Sequence, residues 1–355
     1  MFNKLRSKIL SLKFRAIRRS VIIILASFPK DLERAIIFGD ALNHLLMSTP
    51  LKYLFKFSVP KNIEVKMFNL KFSSPLISAS FKDDVSSLLQ WQLLGIGGIT
   101  YKTVLKDPSK GNARPRIQEV SPNGRYGILN SLGLPTKGVK KFINHIDNKK
   151  LINFNRPIGI SIGGNNVQDY YDVFKEIDKT LNSIAFDQFF YELNISCPNT
   201  EDGKCLSDNL EGLENLLTKM REKTIRPIFI KVSPDSSREE IIKICDILVK
   251  ISSVAINLGN SKYMTAKSLG LNEKHFSKEG GGLSGETLFD NTLEMVKLVS
   301  KKYQFPIIAT GGISSLSNVK EVLNAGASLV GMATLLVSDP LKIPQINQQL
   351  SQNDK

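Results

Sequence analysis

Eight short aliphatic runs constrain this chain more than anything else in it. They occupy residues 75–80, 98–104, 157–163, 188–195, 227–232, 254–258, 306–310 and 328–334. Gly, Pro or Asn bounds them, and each is a short β-branched or aliphatic run. That is how a strand buried on both faces reads. Helical periodicity fills most of the gaps, at 84–94, 167–181, 210–223, 237–251, 288–303 and 316–325. Ser237 and Glu240 have capping-box spacing ahead of Ile241 and Ile242. An opening hairpin is expected at 63–72. Eight strands with intervening helices imply an α/β fold, a (β/α)₈ TIM barrel over residues 63–350. The long segment at 105–156 breaks the alternation and reads as a functional insertion.

Composition narrows the chemistry. The chain has 355 residues, 42% hydrophobic and 23% charged, ordinary values for a globular protein. Its three cysteines, Cys197, Cys205 and Cys245, form no C-x-x-C pair, which favours a reducing compartment. His44, His145 and His275 offer no metal-ligand spacing, so neither a metal site nor a Ser-His-Asp hydrolase is expected.

The net charge of +15 is uneven. Residues 1–30 hold eight Lys and Arg and no acid. No basic face with interleaved aromatics follows, so no nucleic-acid partner is expected. The run Val-Ile-Ile-Ile-Leu-Ala-Ser-Phe at 21–28 is far short of the about 20 residues that cross a bilayer, and Pro29 follows it. Three readings are open for this tail: a surface lying on anionic membrane, with Ile22 to Leu25 in the acyl boundary, a targeting peptide, or a solvated arm. Residues 31–62 read as two short amphipathic helices with acids in a first turn, either a cap on the barrel or an apolar entrance facing a membrane. Residues 1–62 thus form an extension ahead of the barrel.

Barrel chemistry sits at the C-terminal ends of the strands. In turn these ends carry Ser80, Lys102 and Thr103, Gly163 and Gly164, Asn194 to Asn199, Lys231, Asn260 and Ser261, Gly311 and Gly312, and Ala333 and Thr334. Two lysines, several amides, one thiol and several glycines converge, with no carboxylate pair and no histidine among them. Such a rim suits an anionic, hydrogen-bonding ligand. Glycines let backbone N–H groups approach a phosphate, and the last two strand ends match the phosphate site expected there. Lys231 should point inward, whereas Lys82 should lie solvated between strand and helix.

The segment Tyr191-Glu-Leu-Asn-Ile-Ser-Cys-Pro-Asn199 makes the pattern specific. It resembles the dihydroorotate dehydrogenases, FMN-dependent barrels that oxidise dihydroorotate to orotate in pyrimidine synthesis. Further segments agree in order: Gly111-Asn112 with Pro115-Arg116, Asn130 to Pro135, Lys231-Val-Ser-Pro234, Asn257 to Ser261, and Gly281 to Gly285. The resemblance covers residues 63–348. It implies that Cys197 is the catalytic base, taking a proton from C5 of dihydroorotate while a hydride leaves C6 for the flavin. It implies FMN contacts at Ala79, Ser80, Lys102, Thr103, Asn194, Lys231, Gly285, Gly311, Gly312, Ala333 and Thr334. It implies a substrate cradle of Lys102, Asn130, Gly133, Leu134, Asn194, Asn199, Asn260 and Ser261. Phe81 and Ala333 stand where the family commonly has glycine.

Cys197 and Lys102 resemble the soluble class 1 enzymes, whereas the extension resembles in architecture the membrane-bound class 2 enzymes. Quinone, fumarate and an NAD-linked partner subunit are all open as electron acceptors. The chain has no G-x-G-x-x-G unit, so direct use of NAD by this chain alone is not expected. The tail favours quinone and peripheral contact with the cytoplasmic side of a membrane; a soluble cytoplasmic enzyme and an organellar one are the alternatives. A related FMN-dependent dihydropyrimidine oxidoreductase and a non-enzymatic tethered barrel are the competing functions.

Overall fold

The aliphatic runs pair as one parallel sheet. The computed structural model describes residues 2–26, 31–196, 206–272 and 274–352. Helices α1 (Phe2–Ala26) and α2 (Leu32–Ser48) come first, then a 3₁₀ stretch at Pro50–Phe55 and the hairpin β1 (Val65–Met67) and β2 (Leu70–Phe72). The chain runs on through β3 (Leu76–Ser78), α3 (Val85–Leu94), β4 (Ile99–Val104), β5 (Ile117–Val120), β6 (Gly127–Asn130), α4 (Val139–Phe142), α5 (Lys149–Ile152) and β7 (Ile158–Ile162). Next are α6 (Val167–Leu181), β8 (Phe189–Asn194), α7 (Leu210–Arg221), β9 (Ile228–Val232), α8 (Arg238–Leu248) and β10 (Val254–Leu258). Last are β11 (Lys262–Thr265), β12 (Gly280–Gly285), α9 (Phe289–Lys302), β13 (Ile307–Thr310), α10 (Leu316–Asn324), β14 (Leu329–Met332), α11 (Thr334–Ser338) and α12 (Lys342–Leu350).

The barrel strands lie in the order β3-β14-β13-β10-β9-β8-β7-β4. Ile77 bridges Gly98, and the Ser78 N–H donates to Gly98 O at 3.1 Å, which brings β3 to β4 and closes the (β/α)₈ barrel. Side chains alternate strictly. Ile158, Ile160 and Ile162, like Ile228, Ile230 and Val232, face outward into the layer beneath the helices. Phe190, Phe229, Ile308 and Leu329 face inward and meet Met67, Leu70 and Phe72 of the hairpin. Phe190 stacks on Phe229 with centroids 4.3 Å apart. The N-terminal end is thus plugged by apolar packing. Two residues further along five of the strands the inward positions become polar: Ser161, Glu192, Lys231, Asn257 and Thr310 are all buried.

The insertion at 105–156 contributes β5 and β6 to an antiparallel sheet of order β11-β12-β6-β5. Because β11 follows β10 by only four residues, this sheet rises from the C-terminal rim of the barrel. The expected capping box is present, with the Ser237 side chain accepting from the Glu240 N–H and the Glu240 carboxylate from the Ser237 N–H.

The extension departs from expectation in its second helix, and its tail narrows the three open readings. Residues 31–62 hold one 17-residue helix and a 3₁₀ stretch, because Pro50 begins a new turn after the extended Thr49. The basic tail is no solvated arm. Residues 2–26 form one 25-residue helix docked on the barrel; Ser27 to Lys30 lie outside the described residues. Ala26 packs with Leu32, Ala35 and Ile117, and Val21 and Ile22 join that cluster while Ile23 and Ile24 face out. Among the described residues of the apolar run, only Ile23 and Ile24 are exposed. Ser11 donates to Asp339 at 2.5 Å, and Arg18 pairs with Glu119 and donates to the Tyr126 hydroxyl at 2.9 Å.

Candidate active site

The polar layer above the apolar plug is one connected network. Lys231 Nζ donates to Ser80 Oγ at 2.8 Å and lies 3.2 Å from Glu192 Oε1. Ser80 Oγ donates to the same carboxylate at 2.6 Å, and Asn257 Nδ2 to its other oxygen at 2.9 Å. Thr310 Oγ1 in turn donates to Asn257 Oδ1 at 2.7 Å. Five strands are joined this way. Lys231 points inward, as its position after Ile228-Phe-Ile230 predicts.

Glu192 is the functional residue that strand-end reasoning missed. It sits two positions before the end of β8, and period-two alternation with Phe190 and Asn194 would have placed it inside the barrel. Its side chain is 3% exposed. Burial alone would raise its pKa, but Lys231 and the bonds from Ser80, Ser161 and Asn257 together outweigh that and hold it below its ordinary 4.5. A folded value below the unfolded one means Glu192 contributes stability that is complete above about pH 4.5 and lost as pH falls through the depressed value. Denaturation midpoints of the wild type should therefore fall with acid more steeply than those of Glu192→Gln. Parallel acid profiles for the two proteins would refute this.

The next level up carries the amides. Asn194 Nδ2 donates to Thr103 Oγ1 at 3.2 Å, and Thr103 Oγ1 lies 3.1 Å from Ser161 Oγ. Asn260 Nδ2 donates to Ser196 Oγ at 2.7 Å and, more weakly, to Asn194 Oδ1 at 3.4 Å. Ser261 N–H donates to Asn260 Oδ1 at 2.9 Å. Ser196 is the last described residue before Cys197 in the sequence; Cys197 and Asn199 lie outside the described residues. Among the described residues Cys245 is buried on α8, and burial first, then Asp246, pushes its thiol up to about 12. It is a core residue rather than a nucleophile.

The antiparallel sheet brings Asn130 to the same mouth. Its Nδ2 donates to Gly282 O at 3.1 Å, and a Cβ on Gly282 would stand 2.0 Å from Ser261 Oγ. Asn130, Gly282 and Ser261 are thus in close contact. Gly133 and Leu134 follow at φ 68° and 48°, both left-handed. Gly285 ends β12 at φ 126°, beside Tyr126. Gly311 and Gly312 follow β13 at φ 130° and 72°, Gly312 three residues before the Ser315 cap of α10. Ala79 follows β3, its N–H donating to Met332 O at 2.8 Å; Ala333 and Thr334 are the turn into α11. Phe81 leaves the mouth, its ring 5.1 Å from that of Trp91.

Lys102 is half-buried on β4. Burial first, then Arg116 and Lys82, lower its pKa, while Asp83 and Glu33 oppose. Lys82 itself is not solvated, contrary to expectation: it reaches across to Asp40 on α2 at 2.5–2.6 Å. An aspartate 42 positions earlier is invisible to local sequence reading.

These residues fit a flavin. Ser80, Thr103, Asn194 and Lys231 present hydroxyl, amide and ammonium groups that can donate to a polar heteroaromatic ring edge. The left-handed glycines at 285, 311 and 312, with the N-terminus of α10, suit a phosphate.

The sequence matches the family model for dihydroorotate dehydrogenase over residues 62–353. It is 34% identical over 315 residues to the dihydroorotate dehydrogenase (quinone) of Wigglesworthia glossinidia brevipalpis, covering 83% of this chain and 88% of that protein. It is 29% identical over 293 residues to the catalytic subunit of dihydroorotate dehydrogenase B (NAD(+)) of Malacoplasma penetrans, covering 81% and 91%. The solved structure of DHODH from Eimeria tenella in complex with ferulenol superposes with a TM-score of 0.71 at 21% identity, over 88% of this chain and 90% of that one.

Proposed function

The chain belongs to the dihydroorotate dehydrogenase family, and from that premise we propose that its barrel binds FMN and passes electrons from dihydroorotate to a quinone. It is an oxidoreductase acting on the CH–CH group of dihydroorotate, forming orotate for pyrimidine synthesis. The observation that carries the finer reading is the polar network on Glu192 and Lys231 beneath the Asn194, Ser196 and Asn260 cluster. That arrangement has a floor for a flavin and a wall for a planar, amide-rich substrate.

In this reading Ala79, Ser80, Thr103, Asn194 and Lys231 hold the flavin ring, and Gly285, Gly311, Gly312, Ala333 and Thr334 its phosphate end. A flavin held by these residues would supply the acceptor for the hydride from C6 of dihydroorotate. Cys197, as thiolate, takes the proton from C5. Asn130, Asn194, Asn199, Asn260 and Ser261 orient the pyrimidine ring, and Gly133 and Leu134 close its edge. Lys231 and Glu192 form a pair with no net charge, so Lys231 acts as a fixed donor. Lys102 supplies the positive charge for the substrate carboxylate. Holding two rings in register is the larger part of such catalysis.

Quinone is favoured by the extension. Among the described residues, thirteen of the seventeen exposed large apolar side chains lie between Leu5 and Leu54. A surface of that kind, studded with Lys and Arg, suits the cytoplasmic face of an anionic membrane. No helix among the described residues is long and apolar enough to cross a membrane, so residues 1–62 would lie on the surface and 63–350 form the catalytic barrel. Cys197 and Lys102 favour the second reading, a fumarate-reducing enzyme. Full-length protein should convert dihydroorotate to orotate with a soluble quinone analogue faster than with fumarate, and with NAD⁺ alone not at all. Faster turnover with fumarate would overturn the acceptor. Colourless protein without turnover would overturn the enzyme.

About 1 kcal/mol per basic residue near an anionic surface makes reversible attachment sufficient. Full-length protein should sediment with anionic vesicles at low ionic strength and be released by salt. Protein that stays in the supernatant at low salt would exclude the membrane contact.

A further inference from the structure

Helix α2 is tied to two walls of the site by ion pairs. At its N-terminal end, Glu33 grips Arg116 with both oxygens, at 3.1 Å to Nε and 2.9 Å to Nη2. Asp31 holds Arg114 at 2.6 Å. The Glu33 and Arg116 side chains are each 13% exposed, so solvent screens this pair little. The remaining nitrogen of Arg116, Nη1, donates to Lys110 O and Asn112 O at 2.8 Å and, more weakly, to Leu132 O at 3.4 Å. Asn112 continues the brace, its side chain donating to Ser131 O at 2.8 Å and its N–H to Leu132 O at 3.0 Å. Everything thus held lies beside the turn that places Asn130, Gly133 and Leu134.

That turn needs holding. Leu134 adopts φ 48°, a conformation that a branched side chain keeps only when its surroundings over-determine it. Gly133 has no room for change either, since a Cβ there would stand 2.9 Å from Asn112. Further along α2, Asp40 binds Lys82, whose carbonyl accepts the Lys102 N–H at 2.9 Å. One helix therefore fixes both the turn beside the substrate and the loop beneath Lys102.

We propose that Glu33 is a positioning residue for dihydroorotate: through Arg116 it sets the 130–134 turn, so substrate affinity depends on the docking of α2. This rests on the reading of Asn130, Gly133 and Leu134 as substrate cradle. The Lys102 ammonium is faced by Arg116, Lys82, Asp83 and Glu33, and three of these four belong to the ion pairs of α2. Asp83 and Glu33 are the two that raise the Lys102 pKa against the burial that lowers it, and loss of the Glu33 charge removes one of them.

The test uses full-length, flavin-loaded protein, with orotate binding read from the flavin absorbance and normalised to bound flavin. Glu33→Gln should weaken orotate about tenfold, a change equivalent to about 1.4 kcal/mol. The KM for dihydroorotate should rise in step, with kcat within about twofold. Arg116→Lys, which loses the planar fork, should act in the same direction, and the double variant should be no worse than the more severe single one. The alkaline limb of orotate binding should move to lower pH in Glu33→Gln, because protonated Lys102 is the form that attracts the carboxylate. Orotate affinity at the wild-type level in both single variants, or a loss of kcat with KM unchanged, would overturn the proposal. Asn130→Ala separates the two layers. If it leaves orotate affinity intact, the cradle reading itself fails; if it weakens orotate while Glu33→Gln does not, only the coupling through α2 fails.

Discussion

Lys231→Met should empty the barrel of flavin and destabilise the fold by about 3–5 kcal/mol, the usual cost of leaving a buried charge without its partner. The ammonium is 8% exposed and the Glu192 carboxylate 3%. Removing the cation leaves an anion held by Ser80, Ser161 and Asn257 alone, inside a barrel whose lower half is phenylalanine and leucine. The Glu192 pKa should then rise, because the charge that offsets its burial is gone. Flavin content after desalting and the urea midpoint measure the two effects. Lys82→Ala is the contrast. Its partner Asp40 is 42% exposed, so the pair contributes at most about 1 kcal/mol, and flavin should be retained. The double variant Lys231→Met with Glu192→Gln should recover much of the stability and none of the activity. Flavin retained at the wild-type midpoint in Lys231→Met would show that the inner ion pair does not organise the site.

Cys197→Ser should keep its flavin and slow flavin reduction by dihydroorotate about 10²–10⁴-fold, the range for loss of a general base. A serine hydroxyl ionises far above neutral pH, whereas a thiol needs only a modest downward shift to be basic there. The strand-end ring described above contains no histidine that could activate the serine. The defect should be largest near neutral pH and shrink as the solution becomes alkaline. Stopped-flow absorbance reads the rate directly. A wild-type rate at neutral pH would remove Cys197 from the proton transfer.

The barrel was legible because parallel strands covered on both faces carry uninterrupted Ile, Val and Leu, and the turns between them need Gly, Pro or Asn. Lys231 was legible for the same reason: a cation after Ile228-Phe-Ile230 has nowhere to go but the mouth. Glu192 obeys the same alternation yet sits inside a run, where a charge is easily counted as part of the strand. The antiparallel sheet was hidden for a different reason. Gly280-Gly-Gly282 has poor strand propensity, and β12 exists because β6 and β11 supply partners from distant positions. The braces of α2 are of this kind as well, since Glu33 and Arg116 are 83 positions apart. The tail needed tertiary contacts to become interpretable. Its charge pattern described a basic terminus, and contacts with residues as distant as Asp339 and Glu119 show where that terminus rests.

The seam of the barrel has a temporal consequence. β3 pairs with β14, Leu76 opposite Val330, so one of the first strands made must wait for the last. At about 5–20 residues per second, β3 keeps an unpaired edge for roughly 10–50 s of synthesis. The apolar plug cannot seal until then, because Leu329 is one of its inner residues. Chaperone demand should accordingly fall on nascent chains that have passed β4 but not reached β14. Helix α1 precedes β3 in the chain yet rests partly on Asp339, beyond β14, so its docking too must wait for the far end of the barrel.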